Sequence, residues 1–205
     1  NITFFTPLIW GIIFATSVIQ VSGDETEFNL QQVSPSVLNV SITTGDIVTF
    51  PVMTNEGEFT RLSLPNFHLS RDVGEPELPE IHSLIEIPQS ADPQIEVVSS
   101  EYRDYLLTDL EIENQIFPAQ PSLSKSQNPE DLPFVMIEEV YSKDTFLNKE
   151  LVNINIEGQL RSIRIANLNI RPVDYNPSSG ILRVYTNIEV NIHMHGADLT
   201  KTEKI

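Results

Sequence analysis

The sequence has 205 residues, of which 40% are hydrophobic and only 8 are glycine, so it can bury a core and predicts one globular domain rather than a disordered tail. Its 29 Asp and Glu against 12 Lys and Arg give a net charge of -17, which argues against nucleic acid or anionic lipid as a partner. A positively charged protein surface is the natural complement, although an acidic surface also keeps secreted proteins soluble. Because the chain contains no Cys, it has no disulfide, thiolate metal site or cysteine nucleophile of its own.

The first 23 residues carry no charge and have a strongly apolar centre over residues 8–19. That length suits the hydrophobic region of a signal peptide better than a membrane span, which needs about 20 apolar residues. Cleavage after Gly23 is the first expectation and cleavage at Ser17 the second, with an uncleaved N-terminal anchor as the alternative. We therefore exclude residues 1–23 from the predicted domain, which begins at residue 24.

Beyond residue 24, the hydrophobic residues recur mostly with the period of two that is typical of half-buried β-strands. The clearest case lies between residues 181 and 194, where one face collects Leu182, Val184, Ile188, Val190, Ile192 and Met194. The turn-forming stretch 175–180 predicts a hairpin that pairs this strand with residues 163–175. A change of parity near Ala166 predicts a β-bulge there, and Glu157-Gly158 predicts a tight turn after the preceding strand. Three consecutive strands would then form an antiparallel meander.

Further strands are predicted in the first half of the chain at a spacing of roughly ten residues, over 37–42, 46–53, 59–64, 82–88 and 94–107. This spacing indicates an all-β fold, an antiparallel β-sandwich or jelly-roll-like single domain over residues 24–197. A short helical turn is expected somewhere in 108–116, and residues 198–205 are expected to be a polar linker.

Residues 110–133 form an unusually long connection, and loops beyond about 12 to 15 residues are functional or disordered in most compact domains. Pro118, Pro121, Pro129 and Pro133 favour an extended, restrained backbone. Lys125 is the only basic residue between Arg103 and Lys143. The pattern suggests a side chain presented to a partner, against the alternative of an exposed lysine that serves solubility.

Motifs for catalysis or cofactor binding are missing from the sequence. His193 and His195 would share one face of a strand, as in a two-ligand metal site, but no third ligand is identifiable nearby. No nucleophile elbow or phosphate-binding loop occurs. We expect no cofactor, although a surface calcium site is left open, and Asn39 begins a formal glycosylation sequon.

Two blocks of sequence carry a resemblance to a known family. The first is GEPELP at 74–79, followed by HSLIEIP and QIEVVSSEYRDY. The second runs from NPEDLPF at 128–134 to RSIRIANLNIRPVDYNPSSGILRVYTNIEV. Together, in this order, they resemble the propeptide domain of gingipain-type cysteine peptidases over residues 74–192.

This resemblance implies a non-catalytic prodomain of a secreted zymogen. Such a domain covers the active-site cleft of the cysteine peptidase catalytic domain that follows it in cis, assists its folding, and is later removed by proteolysis. The location implied is the cell surface or the medium, reached through the periplasm if the host is Gram-negative, with no membrane or nucleic-acid partner after signal removal.

The resemblance also implies site residues. In the arginine-specific branch of the family, a loop just before the N-P-x-x-[IL]-P motif presents a basic side chain to the S1 pocket. The inhibitory loop would here be formed by Leu123, Ser124, Lys125 and Ser126, with lysine in place of arginine. Lys201 and Lys204, in the C-terminal linker, are the candidate activation cleavage sites.

Two alternatives from other classes stay open at this point. A secreted adhesion or carbohydrate-binding module would show aromatic side chains clustered on one exposed face. An enzyme in its own right would need the nucleophile or metal motifs that are missing from the sequence.

Overall fold

A computed structural model of the chain describes residues 16–23, 25–125, 127 and 132–202. Over these ranges the chain is almost entirely β-structure, which confirms the predicted all-β class. The strands are β1 Ser17–Ile19, β2 Glu27–Ser34, β3 Val37–Thr43, β4 Ile47–Thr54, β5 Gly57–Ser63, β6 His68–Leu69, β7 Pro79–Ile87, β8 Asp92–Leu106, β9 Val152–Leu160, β10 Ile163–Ile170, β11 Val173–Asn176 and β12 Ile181–His195. The helical segments are a 3-10 helix, Leu107–Leu110, and two short α-helices, α1 Glu138–Ser142 and α2 Leu199–Thr202. None of the described helices is long and apolar enough to cross a membrane.

The strands form three antiparallel sheets. The largest has five strands: β12 pairs with β8 along one edge, and β11 and β3 pair with successive halves of its other edge, with β2 outside β3. The second sheet has the order β6-β7-β10-β9, and the third has the order β1-β4-β5. Strand β12 therefore organises the molecule, since it has two lateral partners along most of its length.

Two hydrophobic cores lie on one face of β12. The first joins the second half of β12 and β3 to β7 and β10, and it includes Ile188, Val190, Ile192, Val40, Ile42, Ile85, Leu168 and Ile170. The second joins the first half of β12 and β11 to the third sheet and to residues 107–116, and it includes Leu182, Val184, Tyr175, Ile47, Leu62, Leu107 and Ile116. All six residues predicted to share the inner face of β12 are buried, which confirms that prediction.

The strand pairing near β12 differs in part from the predicted meander. The hairpin is present, with Tyr175 opposite Leu182 and Gly180 at a φ of +66°. However, β10 pairs with β7 and β9 rather than with β12, and within the stretch 163–175 only β11 pairs with β12. The reason is the interruption at Pro172, which has no N–H to donate to a ladder and separates β10 from β11.

The predicted bulge is present, but the extra residue is on the other strand. The pairing of β9 with β10 shifts register opposite Ile165 and Ala166, where Glu157 of β9 is the inserted residue. Gly158 accommodates this with a φ of +134°, so Glu157-Gly158 is a bulge within β9 and not the predicted turn. The chain turns instead at Arg161, whose φ is +57°.

The N-terminal segment belongs to the domain, contrary to the expected start at residue 24. Strand β1 pairs with β4, and Ile19 and Val21 are buried in the second core at 1% and 6% exposure. The backbone N–H groups of Val21, Ser22 and Gly23 all donate to Asp46 Oδ1, at 2.8, 3.2 and 2.9 Å. Residues 17–23 are therefore part of the fold that the structure describes.

We expect Asp46→Ala to lower the melting temperature by about 2 to 4 °C at neutral pH, while Asp46→Asn, which keeps one acceptor oxygen, loses less. The hydrogen bonds from Val21 and Gly23 lower the pKa of the Asp46 carboxyl below its ordinary value of 3.8. A carboxylate with a depressed pKa stabilises the fold above that value and stops doing so as the pH falls through the folded-state pKa. The difference between wild type and Asp46→Ala, followed by thermal unfolding against pH, should therefore shrink below about pH 4. A gap that stays constant down to pH 2 would contradict this role.

The C-terminal tail is docked rather than free over its first residues. Asp198 N donates to Gln89 O at 2.7 Å, and Gln89 N donates to Thr202 Oγ1 at 3.0 Å. These bonds hold α2 against the turn between β7 and β8. Where a plain linker was expected from residue 198, the structure has residues 198–202 docked on the domain. Lys204 lies outside the described residues.

Candidate functional site

The chain that leads into the long loop is bonded to the body of the domain on two sides. Phe117 N donates to Thr60 O at 2.8 Å on the side of β5. On the other side, Glu77 N donates to Phe117 O at 2.9 Å and Ala119 N donates to Glu75 O at 2.8 Å. These bonds make the entering stem an extra, irregular strand, so the predicted loop 110–133 is structured up to about residue 120.

The chain that returns from the loop is fixed as well. Ile137 N donates to Gly74 O at 2.9 Å. One turn later, Tyr141 in α1 is buried, and its hydroxyl donates to Ile116 O at 2.7 Å. Burial raises the pKa of the Tyr141 phenol far above its usual value, so the hydroxyl keeps its proton and remains a donor throughout the physiological range.

An aromatic cluster closes the space between the two stems. The ring of Phe134 lies 5.3 Å from that of Phe59 and 6.0 Å from that of Phe117, between ring centroids. The guanidinium of Arg61 lies 4.4 Å from the centroid of Phe117 and forms an ion pair with Glu77 at 2.7 Å. Phe134 follows the loop directly, so its packing anchors the point where the chain rejoins the domain.

Lys125 lies in the loop itself, as the second residue of a turn that Ser124 and Gln127 close. Gln127 N donates to Ser124 O at 3.0 Å, and Ser124 N donates to Gln127 Oε1 at 2.9 Å. Leu123, Ser124, Lys125 and Gln127 are all exposed, while Ser126 lies outside the described residues. The two bonds between Ser124 and Gln127 hold the backbone on both sides of Lys125. Because its side chain is exposed, a partner can reach it.

Sequence reasoning missed the residues that support the loop. Gly74 donates its N–H to Ala119 O at 2.8 Å and accepts from Ile137, so one glycine joins both stems. Its φ is +83°, and a Cβ there would lie 2.8 Å from Ile137 Cγ1, so both the backbone angle and the close approach favour glycine. The GEPELP motif was the available signal, but nothing in it says which segment lies against it.

The paired histidines do not build a metal centre with their neighbours. His193 Nε2 lies 2.8 Å from Glu96 Oε2, and the ring of His193 stacks on His195 at 6.0 Å. This hydrogen bond lowers the pKa of the Glu96 carboxyl. Within the described ranges there is no group of three or more His, Cys, Asp or Glu that could hold a metal ion.

An exposed aromatic group does occur on the five-stranded sheet, but it is occupied by an arginine. The guanidinium of Arg183 lies 4.1 Å from the ring centroids of both Tyr102 and Phe146. It also donates twice to Asp104, from Nε and Nη2, each at 2.8 Å. The guanidinium thus occupies one face of each ring, a face that an open stacking platform for carbohydrate would leave free.

Comparison with known proteins assigns most of the chain to one protein family. The family model described as Propeptide_C25 matches residues 27–204. Lys-gingipain of Porphyromonas gingivalis is 31% identical over 195 residues, which cover 95% of this chain and 11% of that protein. Gingipain R2 of the same organism is 25% identical over 198 residues, which cover 94% of this chain and 25% of that protein. The chain thus spans about a tenth to a quarter of the length of these relatives.

The solved structures that match this chain also come from gingipains. A structure that gives insight into the zymogenic latency of gingipain K from P. gingivalis matches with a TM-score of 0.83 and 31% identity, over 89% of this chain and 100% of that one. The complex of P. gingivalis RgpB pro- and mature domains matches with a TM-score of 0.71 and 24% identity, over 83% of this chain and 86% of that one. The second match shows a shared fold. Since the family model spans most of the sequence, the chain belongs to the Propeptide_C25 family and is a non-catalytic propeptide of the gingipain type.

Proposed function

We propose that this propeptide keeps its cysteine peptidase latent, in cis, by placing Lys125 in the S1 pocket of the catalytic domain. The observation that carries the proposal is the exposed Lys125 within the turn closed by Ser124 and Gln127, on a loop whose two stems are bonded to the domain. An inhibitor of this kind needs a substrate-like side chain on a restrained backbone. Restraint lowers the entropy lost on binding and keeps the peptide bond off the geometry for attack.

The electrostatics of the chain support a single cationic contact. Lys125 is the only basic residue between Arg103 and Lys143, in a sequence with a net charge of -17. A pocket that selects basic side chains ends in a carboxylate, which an ammonium group satisfies at one point and a guanidinium satisfies with two parallel bonds. The relative named for lysine is also more similar, at 31% identity against 25% for Gingipain R2. We therefore propose a peptidase that prefers lysine.

The specificity part of this proposal can be tested with one conservative substitution. The purified chain should inhibit a lysine-preferring gingipain-type peptidase in trans, and Lys125→Arg should weaken that inhibition at least about tenfold, because the two cations differ in reach and in hydrogen-bond geometry. Lys143→Arg is the matched control, since Lys143 is also exposed and pairs with Glu139 on the protein itself. Inhibition constants that are equal for wild type and Lys125→Arg would contradict a lysine-specific S1 contact.

We further propose that the domain is secreted to the medium or the cell surface, assists the folding of the peptidase, and follows a leader that ends before β1. Cleavage after Gly23 would remove the buried Ile19 and Val21, whose burial contributes about 3 to 6 kcal/mol together. Mass spectrometry of the secreted protein should therefore find an N-terminus no later than residue 17. A mature chain that starts at residue 24 would contradict this.

Activation cleavage is proposed at Lys204 or beyond in preference to Lys201. A peptidase binds its substrate in an extended form, but Lys201 lies within α2, which the bonds of Asp198 and Thr202 to Gln89 hold in place. Cleavage at Lys201 would first require this turn to open.

A further inference from the structure

We propose that Gln120 is a positioning residue for inhibition: its side chain closes the base of the Lys125 loop, the stretch between Gln120 and Val135, and thereby fixes where Lys125 is presented. This inference rests on the function proposed above. It concerns a residue whose side chain bonds to Pro118 and Val135, so its effect on Lys125 passes through the loop backbone.

The side-chain amide of Gln120 bonds to both backbone groups of Val135. Gln120 Nε2 donates to Val135 O at 2.8 Å, and Val135 N donates to Gln120 Oε1 at 3.0 Å. A second bond, from Nε2 to Pro118 O at 2.9 Å, fixes the orientation of the amide. Both N–H groups and the oxygen of the amide are thus bonded at 2.8 to 3.0 Å, so the amide takes the place that a paired backbone residue has in a β-ladder.

The sequence of the stems explains why a side chain, and not the backbone, links the two stems here. Pro118, Pro121 and Pro133 lack an N–H, so the two stems cannot pair through a regular ladder of backbone bonds near the loop. Glutamine carries one donor group and one acceptor on the same planar amide, which is what a backbone residue offers. Gln120 follows Ala119, the residue of the entering stem whose backbone is bonded to Gly74 and Glu75, and it precedes the exposed residues 121–125.

Gly74 also joins the two stems, through backbone bonds to Ala119 and Ile137. On the entering stem this bond is made by the residue before Gln120, and on the returning stem by the second residue after Val135. Phe134 packs against Phe59 and Phe117 immediately beside Val135. The stems are thus anchored independently of Gln120, which means that losing its amide should loosen the loop without unfolding the domain.

The test is a double-mutant cycle with inhibition constants measured in trans. Gln120→Ala should weaken inhibition about tenfold, because the loop then samples positions from which Lys125 does not enter the pocket. Gln120→Glu should behave like Gln120→Ala, since a carboxylate cannot donate to Val135 O or Pro118 O. In the Lys125→Ala background, Gln120→Ala should have no further effect, because a misplaced loop matters only if it carries the lysine.

The outcomes separate this inference from the function on which it rests. Gln159→Ala, an exposed glutamine on β9, is the matched control and should leave the inhibition constant unchanged. If Lys125→Ala has no effect, the proposed function fails. If Lys125→Ala weakens inhibition but Gln120→Ala changes it less than twofold, or is fully additive with Lys125→Ala, the positioning role is overturned. A melting temperature of Gln120→Ala that falls by more than about 5 °C would instead assign Gln120 to general stability and also overturn the inference.

Discussion

Lys125→Ala is expected to weaken inhibition of the peptidase by about two or more orders of magnitude. In the bound state proposed here, the ammonium group would meet a carboxylate at the bottom of a pocket from which water is excluded. Removing one member of a buried charge pair costs roughly 3 to 5 kcal/mol, and each 1.4 kcal/mol is a tenfold change in affinity. Since water can refill the empty pocket, a hundredfold loss is the lower end of the expected range.

The measurement is the inhibition constant of the purified chain added in trans to the mature peptidase. Lys143→Ala is the matched control, because it removes the same charge from an exposed side chain that lies beyond the loop. Melting temperatures of both variants should equal that of wild type within about 1 °C, since an exposed lysine contributes little to folding. A loss of inhibition below threefold for Lys125→Ala would contradict the proposed contact of Lys125 with the S1 pocket.

Arg171→Ala is expected to have a large effect on stability, about 2 to 3 kcal/mol. Glu80 is 5% exposed, and its carboxylate accepts from Arg171 Nε at 2.6 Å and lies 3.2 Å from His82 Nε2. Removing the arginine would leave a buried carboxylate with weaker compensation. The expected loss lies below the full range for a buried pair because Arg171 is itself partly exposed and His82 remains in place.

Thermal unfolding should show this as a fall of roughly 4 to 12 °C in the melting temperature, given 2 to 4 °C per kcal/mol for a domain of this size. Arg71→Ala, at an exposed arginine, removes the same charge and should shift the transition by no more than about 1 °C. If the two variants melted together, Glu80 would not depend on Arg171.

How far the sequence predicts this fold depends on the strand. Strand β12 was predictable because six apolar residues on one face all reach a core, and because the turn 175–180 contains the residues that a hairpin needs. Strand β2 was missed because it lies at the edge of its sheet, where most of its side chains are exposed and no alternation is required. The partners of β10 were missed because alternation reports which face is buried and carries no information on the lateral neighbour.

The two ends of the domain were missed for a different reason. Apolar residues 17–21 fit the hydrophobic region of a signal peptide and a buried strand equally well, since both need the same residue types. Only the pairing with β4 and the capture of three N–H groups by Asp46 separate the two interpretations. In the tail, one bond to a hydroxyl and one backbone–backbone bond dock α2, and such contacts leave no periodic signal.

The candidate site was predicted in its central residue but not in its support. Lys125 stood out from charge and from its distance to the NPEDLP motif, both of which are local features. Gln120 and Gly74 act across sequence separations that no local pattern reveals, and a glutamine next to a proline-rich stretch is unremarkable in itself. The supporting contacts therefore required three-dimensional information.

Lysine reactivity in the complex tests the central claim most directly, because it needs no mutation. A small acylating reagent should modify Lys125 readily in the free chain, where this side chain is exposed, and at least about tenfold more slowly once the peptidase is bound. Lys143, which lies outside the loop, serves as the internal control and should react at the same rate in both states. If Lys125 reacts equally fast in the free and the bound chain, it does not occupy the S1 pocket.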